Sequence, residues 1–213
     1  MKKYITIGRE FGSKGKEIAK LVSEKLNIPY YDSEIIDLAA KDSGLSAEFI
    51  KENEQKITSG WLYTLLLGSG YSVPGSSGRL NINTQSQTAP LADQVFNAQR
   101  NTIIELAKKG PCVFLGRCSD YILRHCEEIS REDLLNVFIY ADLNFKVKTA
   151  IEEGMDPQTA EREVKLIDKR RANHYNTFTE RTWGKRDHYD LLLSSSSLGV
   201  ETAAQIIAEV SSK

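Results

Sequence analysis

Five short apolar runs, each followed by a stretch with helical spacing, constrain the fold of this chain more than any other feature. They lie at 4–8, 28–31, 112–115, 135–140 and 189–193. The runs Cys-Val-Phe-Leu at 112–115 and Val-Phe-Ile-Tyr at 137–140 are apolar without alternation, as strands covered on both faces must be. Helices that cross over between parallel strands provide such a cover, so the alternation predicts an α/β fold. Ligands of parallel sheets bind at the carboxyl ends of the strands, so a site is expected there.

The helices are legible from their apolar stripes. Ile18, Leu21, Val22 and Leu26 mark one after the first strand. Phe96, Ile103, Ile104 and Leu106 mark a longer one ending near Gly110-Pro111, and Ala203, Ile206, Ile207 and Val210 mark the last. Between 157 and about 178 a charge-rich segment, with Val164 and Ile167 among its few apolar positions, reads as an exposed helix reaching beyond the core.

Composition narrows the function classes. With 28 Lys+Arg against 29 Asp+Glu the net charge is -1, which disfavours a nonspecific nucleic-acid binder. No apolar run approaches the ~18 residues of a membrane span, and residues 1–7 enter a strand pattern rather than a signal core. A soluble, cytoplasmic protein is expected, forming one domain over 1–213. Cys112, Cys118 and Cys126 are an odd set without a C-x-x-C pair, so reduced thiols are expected and no metal site is predicted. His125, His174 and His188 accompany no nucleophile pattern.

Residues 57–92 break the composition: Arg79 is their only charged residue and five of the 14 glycines fall there. An insert of this kind reads as a functional loop or lid, or as a disordered segment. The apolar stretch 61–67 reads as a short helix covering the core or a partner, which makes a homodimer conceivable.

The decisive segment is Ile5-Thr6-Ile7-Gly8-Arg9-Glu10-Phe11-Gly12-Ser13-Lys14-Gly15-Lys16-Glu17-Ile18, a strand, a Gly/Ser/Lys loop and a helix in direct succession. Inward N–H groups of such a loop, with the positive end of the helix behind them, make a phosphate cradle. The match to G-x-x-x-x-G-K-[ST] is incomplete. Gly15-Lys16 supplies the G-K pair, but Glu10 stands at the first glycine position and Glu17 at the hydroxyl position. A register anchored on Gly12 instead leaves Lys14 or Lys16 flanking the lysine position.

That loop, the strand end Tyr30-Tyr31-Asp32-Ser33, Gly116-Arg117 after the third strand and the cluster Asp168-Lys169-Arg170-Arg171 together resemble the cytidylate kinase-like family. The resemblance runs from Ile5 to about Glu209. It implies a P-loop NTPase-type three-layer sandwich with a five-stranded parallel sheet, an acceptor-binding insert at about 44–92 and a helical lid at about 155–188. It also implies transfer of a phosphoryl group from ATP, with Mg²⁺ held through the nucleotide phosphates, to a nucleoside monophosphate or similar small acceptor. Gly12, Ser13, Lys14, Gly15, Lys16 and Glu17 would wrap the donor phosphates, and Asp32 and Ser33 would face the acceptor. Arg117 would clamp the acceptor phosphate, and Lys16, Asp168, Arg170 and Arg171 would act around the group in transfer. Cys118 stands where cytidylate kinase has the Asp of Gly-Arg-Asp, so the carboxylate for base recognition is missing there.

Residue chemistry supports this independently. The interval 165–188 holds seven Lys/Arg against three Asp/Glu, a local cationic patch in a balanced chain, and arginine pairs bidentately with phosphate oxygens. An ion-paired solvated helix is the alternative for that interval. Arg100 lies on a helix that would border the acceptor. Asp142, after a strand, is either a water-mediated Mg²⁺ partner or a helix N-cap, and Trp183 either touches an adenine ring or packs in a turn. Two rival functions stay open: a nucleotide-binding sensor or interaction protein without transfer activity, and a kinase of a non-nucleotide small molecule.

Overall fold

The computed structural model of the protein describes residues 2–43 and 91–213. The predicted insert and its 61–67 stretch lie outside the described residues, apart from the start of the helix that follows.

The five apolar runs all form strands: β1 (Tyr4–Arg9), β2 (Tyr30–Tyr31), β3 (Cys112–Leu115), β4 (Leu134–Tyr140) and β5 (Leu191–Ser194). They make one parallel sheet in the order β2-β3-β1-β4-β5. The helices are α1 (Gly15–Leu26), α2 (Glu34–Ser43), α3 (Leu91–Lys108), α4 (Ser119–Arg124), α5 (Leu143–Glu152), α6 (Ala160–Thr179), α7 (Ser195–Leu198) and α8 (Val200–Ser211). Short 3₁₀ turns at Arg131–Asp133 and Arg186–His188 lead into β4 and β5.

Alternation of side chains across the strands divides the core into two layers. Ile5, Ile7, Val113, Leu115 and Val137 point to the face covered by Ile18 and Val22 of α1 and Ile207 of α8. Cys112 and Phe114 point to the other face, where Ile103 and Leu106 of α3, Ile122 and Leu123 of α4 and Tyr175 of α6 cover them. All four β3 residues are buried, in keeping with their unbroken apolar run. Asp142 sits at the N-cap position of α5, but its carboxylate accepts from the Ser196 hydroxyl at 3.0 Å and makes no cap bond.

The charge-rich segment differs from its expectation. It does form a helix, α6, yet this helix does not stand away from the core: Ala160, Val164, Tyr175 and Thr179 are buried, and its Arg171 and Asp168 bond to the last residue of β1 and to the loop after it. Sparse apolar marks hid this because its docking is largely polar. Among the described residues no helix is long and apolar enough to cross a membrane.

Candidate active site

Parallel strands bring the chain segments after β1, β3 and β4 to one edge of the sheet. The loop after β1 turns back on itself through Ser13, whose hydroxyl donates to the Glu10 carbonyl at 2.8 Å. Gly12, at φ +71°, lies so close to α5 that a Cβ there would stand 2.5 Å from the Lys146 carbonyl. Lys14 closes the loop in the left-handed conformation, and α1 begins at Gly15. The first N–H groups of α1 have no intrahelical acceptors and carry the positive end of the helix dipole.

An ionic cluster holds this loop from behind. Lys146 Nζ of α5 donates to Glu10 Oε2 and to Asp168 Oδ2, both at 2.9 Å. Glu10 Oε2 also accepts from the Ala141 N–H at 3.1 Å, and the second oxygen of Asp168 accepts from the Phe11 N–H at 2.7 Å. Burial alone would lower the Lys146 pKa, but Asp168 and Glu10 outweigh it and raise it. Arg171 completes the fastening, donating to the Arg9 carbonyl at 3.2 Å with its guanidinium 5.5 Å from the centre of the Phe11 ring.

At the same edge of the sheet lies a cavity of about 420 Å³ between Arg9 at the end of β1, the β3–α4 turn and α6. Arg9, Arg117, Arg170 and Arg171 line it together with Asp120, His174, Tyr175, Trp183 and Tyr189. Three consecutive residues, Gly116, Arg117 and Cys118, have φ of 69°, 59° and 54°. That conformation is costly for the two non-glycine residues, and strain of this kind concentrates where a side chain must be aimed at a ligand. Burial, together with the neighbouring Arg171 and Arg117, lowers the Arg9 pKa to about 9. It therefore stays cationic at neutral pH.

Asp120, on the first turn of α4, is buried and accepts from the Tyr175 hydroxyl at 2.6 Å. Burial holds its carboxyl above the usual range, against the Tyr175 bond and nearby backbone N–H groups that favour the charge. Burial and Asp120 likewise push the Tyr175 phenol up. The cavity thus brings guanidinium groups and a bonded carboxylate–phenol pair into one lining.

A family description matches this chain over residues 4–197: the cytidylate kinase-like family. The chain belongs to that family. No curated protein matches it. Among solved structures, an uncharacterized protein from Eubacterium ventriosum ATCC 27560 is 27% identical with a TM-score of 0.68, over 100% of this chain and 99% of that one. Shikimate kinase from Bacteroides thetaiotaomicron is 12% identical with a TM-score of 0.51, over 99% of this chain and 98% of that one. Shikimate kinase from Acinetobacter baumannii, with shikimate bound, is 11% identical with a TM-score of 0.50, over 99% and 93%. At such identities the last two likenesses concern the fold, which is that of a P-loop kinase.

Within this cytidylate kinase-like fold the residues singled out in the sequence separate into three groups. Arg117, Arg170 and Arg171 line the cavity together. Gly12, Ser13 and Asp168 build and brace the loop rather than face the cavity. Of the remainder, Cys118, His174 and Trp183 also line the cavity, and the others are placed elsewhere. Lys16 does not reach the cavity, because its Nζ pairs with Asp32 Oδ2 at 3.0 Å. Lys14 leans towards Glu17 at 3.9 Å. Arg100 and Ser33 are exposed and do not line it. Asp32 is buried; desolvation would raise its pKa, but Lys16, Arg9 and Arg117 prevail and lower it. Trp183 lines the cavity and also packs edge-on against Phe138.

Four residues of the cavity and the loop brace carry no role in the sequence reading: Arg9, Asp120, Tyr175 and Lys146. Arg9 had a signal, a bulky cation in the run where a phosphate loop ordinarily begins with glycine. Asp120 had another, since the carboxylate absent at 118 is present two residues later. Lys146 had none, because its partners are distant in sequence.

Proposed function

We propose that the protein transfers the γ-phosphoryl group of ATP to a nucleoside monophosphate, cytidylate-like, or to a similar small acceptor. The observation that carries this reading is the arginine-lined cavity beside the start of α1, at the carboxyl edge of a P-loop kinase sheet. Guanidinium groups suit the spread charge of a phosphoryl group in flight, and exposed N–H groups at a helix start suit the phosphates left behind. An acceptor oxygen would form the new P–O bond as the electron pair of the old bond leaves on ADP. A monophosphate acceptor needs no base for this, whereas a hydroxyl acceptor would give its proton to a carboxylate. Asp120 is the better placed, since Asp32 is engaged by Lys16.

Mg²⁺ would arrive on the nucleotide phosphates, where it neutralises charge on the leaving group. Among the described residues no group of three or more His, Cys, Asp or Glu gathers to hold a metal, and Ser13 is bonded to the Glu10 carbonyl. The protein's share is positioning: the Glu10–Lys146–Asp168 cluster fixes the loop, and Asp120 with Tyr175 offers the acceptor a place for a hydrogen-bond donor.

The engagement of both Lys16 and Asp168 within the protein favours a second reading, a nucleotide sensor that binds ATP without transfer. A coupled ADP-release assay with MgATP and CMP, dCMP, UMP, AMP or small alcohols separates the readings. Acceptor-dependent release with a monophosphate is expected. Release with an alcohol alone assigns a non-nucleotide acceptor, and ATP binding without release under any acceptor supports the sensor.

A further inference from the structure

Arg9 is the one guanidinium of the cavity that comes from the phosphate-loop segment itself, and its side chain has a built slot. Its stem crosses the start of α1, where a Cβ on Gly15 would stand 2.6 Å from Arg9 Cβ and 3.0 Å from Cγ. Gly15 is not among the positive-φ residues, so its lack of a side chain is explained by Arg9 and not by the backbone. At the far end a Cβ on Gly116 would collide with the Arg9 guanidinium. Gly116 is also required by its φ of +69°, so Gly15 is the glycine that Arg9 accounts for, and Arg9 runs from the helix start to the β3–α4 turn.

The lysines of the loop point elsewhere, Lys16 to Asp32 and Lys14 towards Glu17. Among the described residues no carboxylate stands within ion-pair distance of Arg9, Arg170 or Arg171. Several guanidinium groups lining one small cavity repel one another, and a multiply charged anion is the ligand that relieves this. The planar fork of arginine can hold two oxygens of one phosphoryl group, which a lysine cannot do.

We propose that Arg9 replaces the loop lysine in this protein: held between Gly15 and Gly116, it binds the phosphoryl group midway between donor and acceptor. This rests on the phosphotransferase reading for the identity of the anion and adds the residue that grips it. Burial and the neighbouring Arg171 and Arg117 lower the Arg9 pKa to about 9 although Asp32 acts the other way, so a further anion in the cavity would relieve the repulsion among these guanidinium groups.

The test is calorimetric titration of the full chain with inorganic phosphate and with MgATP. Arg9→Gln should weaken phosphate binding by about 10- to 100-fold, the size of a lost charge-assisted contact, with Arg9→Lys intermediate. Lys14→Ala combined with Lys16→Ala should change it less than about 3-fold. Wild-type affinity in Arg9→Gln, or loss of binding in the double lysine variant, overturns the proposal. Should Arg9→Gln fail to fold, the Nε–H resonance of Arg9 in the wild-type protein, identified by its absence in Arg9→Lys, provides the same test. It should shift on adding phosphate, and a resonance that stays put contradicts the role. Phosphate held by Arg9 without transfer from ATP would end the kinase reading alone, while full transfer by Arg9→Gln would end this inference alone.

Discussion

Replacing Lys146 by Met is expected to destabilise the protein by about 3–5 kcal/mol, the usual cost of removing one partner from a buried ion cluster. Lys146 is almost wholly enclosed and is the only cation bonded to both Glu10 and Asp168 among the described residues. Without it the two carboxylates keep the Ala141 and Phe11 N–H groups as hydrogen-bond donors and, for Asp168, the nearby Arg171 guanidinium. For a chain of this length that loss corresponds to a fall of roughly 6–20 °C in Tm. The triple variant Glu10→Gln, Lys146→Met, Asp168→Asn should recover part of it, because neutral amides still accept from those N–H groups and the cluster itself holds no unpaired charge, although Arg171 loses the nearby Asp168 carboxylate. A single variant within about 1 kcal/mol of wild type by denaturant unfolding would show that the cluster does not fasten α6 to the loop.

Asp120→Asn should have opposite effects on stability and activity. The folded-state pKa of Asp120 lies above its ordinary 3.8, so between these values the folded protein holds more protons than the unfolded one. Stability from this group therefore falls as pH rises through that window, and the penalty is fully present above the folded pKa. Asparagine removes the penalty: the Tm gain should be greatest at neutral pH and shrink below pH 3.8, where the carboxyl is protonated in both states. Transfer should suffer, with kcat/KM for the acceptor down by about 10- to 100-fold, the loss of a hydrogen bond to a charged group. An unchanged or lowered Tm at pH 7, or unaltered acceptor kinetics, would remove Asp120 from this role. Residues that weaken the fold while serving the site are an expected trade between stability and function.

The sheet was readable from the chain because burial on both faces leaves a simple mark, unbroken apolar runs such as 112–115. The order β2-β3-β1-β4-β5 was not, since it depends on which crossover passes over which strand. The glycine loop was legible as a loop, but the direction of its cations was not: Lys16 pairs with Asp32, while Arg9 two residues before Phe11 lines the cavity. Side-chain direction decides this, and direction follows from the slot between Gly15 and Gly116, two residues a hundred positions apart. The α6 arginines could be read from charge density alone. The docking of that helix could not, because Asp168, Lys146 and Glu10 meet only after folding.

Diffraction from crystals soaked in tungstate tests the central claim most directly, since that oxyanion has the shape of phosphate and reveals its position by anomalous scattering. The expected result is one strong peak in the cavity with its oxygens within about 2.7–3.1 Å of the Arg9 and Arg117 or Arg171 guanidinium groups. A peak on the Lys14 and Lys16 side chains with the cavity unfilled would contradict it.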